Sequence, residues 1–110
     1  MGYDVEETIR LNRLFDIYQE LLTKKQKEYY DYYFLRDYSL AEISEIYGIS
    51  RNAVHVQIKN IIKNLEELED KLKVLEKNKS ITDLFEELKK EEDKLSSKVK
   101  TLIKKVEKVI

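Results

Sequence analysis

Apolar positions recur at helical spacing along nearly the whole chain. Between Val5 and Leu22 they fall at Val5, Ile9, Leu11, Leu14, Phe15, Ile17, Tyr18, Leu21 and Leu22, mostly three or four residues apart, which predicts one amphipathic helix. Thr23 then stands three residues before Gln26, the spacing at which a hydroxyl and an amide each satisfy a backbone donor of the other. A second helix is expected from there to about Leu35. Its segment "EYYDYYFL" sets four tyrosines and a phenylalanine beside charged residues. Rings of this size serve first as filling for a small helical core, and a stacking platform for bases is the sharper alternative.

After Asp37, Ser39 and Glu42 repeat the reciprocal cap and open a short helix to about Tyr47, with Leu40, Ile43 and Ile46 on its expected buried side. Gly48 follows where a helix end calls for a left-handed backbone, a conformation glycine adopts without steric cost. Ile49 can turn into the core and Ser50 can cap the next helix. A short helix, a glycine turn and a serine-capped second helix make the helix-turn-helix layout, with Ala41 allowing close approach and Ile43, Ile49 and Val54 as packing points.

The helix from Arg51 carries its pattern further than a small head needs. Ile58, Ile61, Leu65, Leu68, Leu72 and Leu75 are spaced three, four, three, four, three, as in a heptad seam. A rod from Arg51 to Lys77 would be roughly 40 Å long. "NKS" at 78–80 reads as its end, with Ser80 and Asp83 opening a last helix that carries apolar positions from Ile81 to Val109. The two stripes can be covered by an antiparallel hairpin within the chain or by helices shared across a homodimer. The expected architecture is all-α, without a wing: a headpiece over residues 1–64 and a coiled-coil-like helical extension over residues 65–110 that dimerises.

Composition narrows the function. The 110 residues include no proline, no cysteine, two glycines and one histidine, so disulfides and thiolate metal sites are excluded and helices are favoured. No apolar run is long enough for a membrane span or signal peptide, and a cytoplasmic location is expected. Neither a cofactor nor a small-molecule substrate is indicated. No nucleophile, base and oxyanion donor can be assembled, so an enzyme is not expected. A formal net charge of -1 means that any nucleic-acid role must rest on a local patch.

That patch lies after the glycine turn. Between Tyr47 and Glu66 there is no acidic residue, whereas Arg51, Lys59 and Lys63 are basic and Asn52, His55, Gln57, Asn60 and Asn64 can hydrogen-bond. A helix fits the major groove, with the side chains of its first turns at base edges and later cations at phosphates. With Val54 and Ile58 buried, a helical wheel places Arg51, Asn52, His55 and Lys59 on the other side, with Lys63 near phosphate. His55 has no second metal ligand beside it, so a base or phosphate contact or plain exposure is expected. The acidic runs at 66–70 and 86–94 read as solvated charge. The lysine-rich end of the chain reads as a coiled-coil flank, with an anionic membrane surface or phosphates as alternatives.

Residues 10–72, and in particular "DYSLAEI" and "GISRNAV", resemble the YlxM family of small bacterial proteins, whose helix-turn-helix is similar to region 4 of sigma factors. The resemblance implies that Ser39 to Ile46 is the supporting helix, that Ser50 to Lys63 is the recognition helix, and that Arg51, Asn52 and Ala53 belong to the family's Ser-Arg-Gln/Asn-Ala run. It implies a DNA-binding regulator. Because genes of this family tend to lie beside those of the signal recognition particle, it adds that particle's components to the expected partners. Two departures stand out: Lys24 where proline usually follows the threonine, and His55, Val56 and Gln57 where the family commonly has an aromatic and an aspartate. The leading expectation is a reader of duplex DNA. The other two are an accessory protein that uses this face on the particle's RNA or its apolar helices on the protein subunit, and a helical module that binds only protein.

Overall fold

The computed structural model describes residues 2–109. Among these there are six α-helices and no strand, and the chain divides into two compact units, residues 1–73 and residues 74–110.

In the first unit every helix start is set by a polar side chain. Asp4 accepts from the Glu7 N–H at 2.8 Å and opens α1, Val5–Tyr18, which tightens into a 3₁₀ turn at Gln19–Leu21. The Thr23–Gln26 reciprocal cap is formed, at 3.1 and 2.9 Å, and opens α2, Lys24–Tyr30. This helix widens into a π-helical turn at Asp31–Leu35, where the Arg36 N–H reaches back five residues to the Asp31 carbonyl at 2.8 Å. Ser39 and Glu42 form the second reciprocal cap and open α3, Leu40–Tyr47. Ser50 accepts from the Ala53 N–H at 3.0 Å and opens α4, Arg51–Leu72. Each cap satisfies donors that a helix start otherwise leaves unpaired.

The head closes around α4, which packs on α1, α2 and α3. Val54, Ile58, Ile61 and Leu65 are its buried stripe, facing Leu11, Leu14, Phe15 and Tyr18 of α1, Tyr29 and Tyr30 of α2 and Ile43 of α3, all buried. The aromatic segment is largely core. Phe15 stacks on Tyr30 at 4.2 Å between centroids, and Tyr30 on Phe34 at 4.6 Å. Tyr30 donates to Asn12 Oδ1 at 2.6 Å and Tyr47 to Glu28 Oε2 at 2.9 Å, whereas the enclosed Tyr29 hydroxyl has no hydrogen-bond partner among the described residues. Ile46, expected inside, is 48% exposed, because α3 is short and turns only Ile43 fully inward.

Toward its far end the α4 stripe becomes polar. Glu69 is 6% exposed and accepts from the Tyr18 hydroxyl at 2.6 Å. Arg10 of α1 meets Glu66 of α4 through two hydrogen bonds at 2.8 and 3.2 Å, fixing the same pair of helices at the surface. The stripe read as a coiled-coil seam therefore spends its first half inside the head. The rod also stops earlier than expected. Lys73 takes a left-handed conformation, φ 54° and ψ 32°, and donates its N–H to the Glu69 carbonyl at 2.8 Å.

The second unit contains α5, Val74–Lys90, and α6, Ser97–Glu107. The break expected at 78–80 is absent, since α5 runs through Asn78, Lys79 and Ser80. The chain breaks at 91–96 instead, where a 3₁₀ turn at Glu92–Lys94 precedes Ser96, whose hydroxyl caps α6 by accepting from the Val99 N–H at 3.3 Å. Lys89 pairs with Glu107 at 2.9 Å. No side chain of α5 is fully buried, and in α6 only Ile103 is.

All eight tyrosines lie in the head, so with no tryptophan present tyrosine fluorescence reports its unfolding alone. Tyr18→Phe removes a donor from a buried carboxylate and is expected to cost about 2 kcal/mol in urea unfolding. Tyr30→Phe, which loses a bond to a neutral acceptor, should cost about 1 kcal/mol. At Gly48, where φ is 65° and an added Cβ would meet nothing within 4 Å, alanine should cost about 1 kcal/mol through backbone strain alone. Burial raises the pKa of the Tyr30 and Tyr47 hydroxyls well above the usual tyrosine value, and the bond to Glu28 raises Tyr47 further. Because the folded state holds these protons more tightly, the stability they contribute is present below about pH 10. It should fall as the pH rises past that point, and a Tyr30→Phe, Tyr47→Phe double variant should flatten the decline.

Candidate nucleic-acid interface

The turn between α3 and α4 is built as its sequence requires. Gly48 is left-handed at φ 65° and ψ 34°, and both its own N–H and that of Ile49, at 3.1 Å, point to the Ser44 carbonyl. These contacts close the end of α3. The chain then reverses within three residues, Gly48, Ile49 and Ser50, before α4 starts. With Ile43, Val54 and Ile58 fully buried between the two helices, the pair is held as a helix-turn-helix.

Burial of one stripe decides what the rest of α4 can present. Successive residues turn by about 100° around a helix, so with Val54, Ile58, Ile61 and Leu65 inward the opposite side carries Asn52, Val56, Lys59, Asn60 and Lys63. All five are exposed. Arg51 is exposed at the first turn of the helix. Asn52, Lys59 and Lys63 are thus brought to one open face, while Arg51, about 60° around the helix from Val54, is exposed beside the stripe at the capped start of α4. Arg51 and Lys59 have no ion-pair partner among the described residues, whereas Lys63 stands 4.0 Å from Glu67 one turn later. The four cap residues Ser39, Glu42, Gly48 and Ser50 all perform the roles expected of them.

His55 sits differently from its neighbours. It is half-buried on the flank of the stripe, and its Nε2 is enclosed with no hydrogen-bond partner among the described residues. The reason is angular, since one residue past Val54 is about 100° from the core centre rather than opposite it. The open face instead gains Val56, an apolar side chain 47% exposed amid polar ones. Periodicity could have found it, because Val56 is out of phase with Val54 and Ile58.

A face of this kind can offer amide groups to base edges, a branched apolar group to a thymine methyl, and cations to phosphates. Among the described residues no three His, Asp or Glu side chains come together as a metal site. No helix among them is long and apolar enough to cross a membrane.

Known proteins agree with this architecture. Residues 5–109 match the family model UPF0122, described as "Putative helix-turn-helix protein, YlxM / p13 like". The chain is similar to UPF0122 protein YlxM of Bacillus subtilis, with 43% identity over 106 residues covering 91% of this chain and 96% of that one. It is also similar to UPF0122 protein lwe1821 of Listeria welshimeri, 51% identical over 83 residues covering 76% of each chain. A third relative, UPF0122 protein BH2485 of Halalkalibacterium halodurans, is 44% identical over 90 residues, covering 82% of this chain and 83% of that one. With the helix-turn-helix in place and the match running along nearly the whole length, the chain belongs to the UPF0122 family of YlxM / p13-like proteins.

Proposed function

We propose that the protein is a non-enzymatic regulator that binds duplex DNA, with the first turns of α4 in the major groove. The observation that carries this reading is the open face of α4: Asn52, Val56, Lys59, Asn60 and Lys63 stand together, Arg51 is exposed at the first turn beside them, and no carboxylate occurs from Gly48 to Leu65. In this reading Asn52 faces a base edge, with adenine its natural bidentate partner, and Arg51 reaches guanine or the adjoining phosphate. Val56 packs against a thymine methyl. Lys59 and Lys63 hold the backbone on either side, and half-buried His55 sets the edge of the contact. The N–H groups at the start of a capped helix add a weak attraction for phosphate.

Three cations give few phosphate contacts, so a single head binds weakly and loses affinity steeply with salt. The reading therefore includes a homodimer, in which two heads engage one duplex and the second contact becomes intramolecular. Relatives of this chain are described by their helix-turn-helix, which supports the nucleic-acid part of the reading. A link to the signal recognition particle rests on the family resemblance, and its RNA belongs among the probes.

A salt titration of fluorescence anisotropy on selected and scrambled duplexes separates these roles. Arg51→Ala with Lys59→Ala removes two cations from each head, four from the dimer, and should lower the slope of log affinity against log salt by about 4 on every duplex. Asn52→Ala and Val56→Ala should each cut discrimination between selected and scrambled duplexes by about tenfold while leaving that slope unchanged. Absence of duplex binding at low salt, or preference for a folded RNA with no effect of duplex sequence, would overturn the DNA reading.

A further inference from the structure

The second unit exposes an unusual amount of apolar surface. In α5, Ile81, Leu84 and Leu88 are exposed, Leu84 at 66%, and in α6 so are Val99, Leu102 and Val106, Leu102 at 49%. Both sets fall on one side of their helix. At about 100° per residue, Ile81, Leu84 and Leu88 span some 60° of α5, and Val99, Leu102 and Val106 span the same arc of α6. Neither stripe is the side on which the two helices meet within the chain. The ion pair joining Lys89 to Glu107, and the half-buried Phe85 and buried Ile103, all lie on the neighbouring arc of their helices.

The borders of the two stripes carry opposite charge. On the side away from the intrachain contact, the α5 stripe is edged by Asp83 and Glu87, and the α6 stripe by Lys98 and Lys105. All four side chains are exposed, and none has an ion pair among the described residues. An apolar stripe with an acidic border is thus matched, on the same chain, by an apolar stripe of the same width with a basic border. That is the charge pattern of a surface whose complement is itself.

We infer that a second copy of this chain covers these stripes, with α5 of each protomer lying on α6 of the other across a two-fold axis. The arrangement brings each acidic border to a basic one twice and buries six exposed apolar side chains per protomer. Like-with-like pairing of α5 on α5 would oppose carboxylates, and of α6 on α6 ammonium groups, which disfavours both. The inference gives a structural basis to the pairing of heads assumed in the proposed function. It is tested without DNA, so failure of self-association and failure of DNA recognition are read separately.

The measurement is sedimentation equilibrium of the full chain at low salt, with circular dichroism as a check on helix content. The unchanged protein should sediment with the mass of two chains. Asp83→Lys with Glu87→Lys, and separately Lys98→Glu with Lys105→Glu, should each weaken dimerisation at least tenfold, since each makes both borders alike. An equimolar mixture of these two variants should recover dimers of mixed composition, because the altered borders are again opposite. A monomer at all concentrations, a dimer that neither variant weakens, or variants that mixing does not rescue would overturn the inference. A mass that keeps climbing with concentration would overturn the two-fold arrangement.

Discussion

Burial of a single stripe on α4 is the constraint on which the rest of the head depends. Val54, Ile58, Ile61 and Leu65 are all 1% exposed or less and are covered by three helices at once. Fully burying side chains of this size contributes about 1.5–3 kcal/mol each. Rotating α4 by one residue would bring its polar neighbours inward, so the stripe fixes the rotation of the helix about its own axis. Everything facing solvent on α4 follows from that. The open face of α4 is the geometric complement of the core and could not be moved without rebuilding it.

The ends of α4 are secured by different chemistry. At the start, the Ser50 hydroxyl and the left-handed Gly48 set the entry angle from α3, and they act through backbone geometry more than through buried area. Toward the far end, where the apolar stripe gives out, the Tyr18 hydroxyl and the Glu69 carboxylate replace it with a short buried hydrogen bond. A carboxylate there is costly to bury alone, so the tyrosine and glutamate specify each other and thereby the register of α1 on α4. One end accordingly depends on backbone conformation and a serine cap, while the other depends on a matched pair of side chains.

Features settled by local chemistry were legible in the amino-acid sequence. Both reciprocal caps, the glycine turn and the serine cap of α4 need only neighbours within a few residues, and each has the bonds its spacing implied. What was not legible is what covers a stripe. Ile58, Ile61 and Leu65 have the spacing of a seam whether they meet a partner chain or, as they do, α1 of their own head. Lys73 gives no sign of its left-handed backbone, since lysine is not a residue that favours it, and the end of α4 was therefore missed. Asn78 to Ser80 misled for the opposite reason: a break in the apolar spacing followed by a capping serine was read as a stop, yet α5 runs through it without proline or glycine to break it. At the candidate site Arg51, Asn52, Lys59 and Lys63 were singled out because polarity marks them, and all four are exposed. Val56 was overlooked because an apolar residue is presumed to be core, and His55 was placed outward because a wheel drawn from two buried residues leaves the flank undecided.

The overall charge of this chain conceals how its charges are arranged. A net charge of -1 suggests indifference to polyanions, but the balance is struck between segments. The stretch from Gly48 to Leu65 is free of carboxylates, Asp83 to Asp93 is dominated by them, and Lys94 to Lys108 carries six lysines against Glu107 alone. Segregation of this kind has two physical consequences. Over a Debye length of about 8 Å in physiological salt, a ligand responds to the nearest segment and not to the sum. The acidic and basic segments of the second unit, adjacent in sequence, display borders of opposite sign on separate helices, the complementarity on which the inferred pairing rests. A head with few cations and a second unit with few buried side chains are then met by the same inferred pairing, which would bury the apolar stripes of the second unit and double the contacts available to the head.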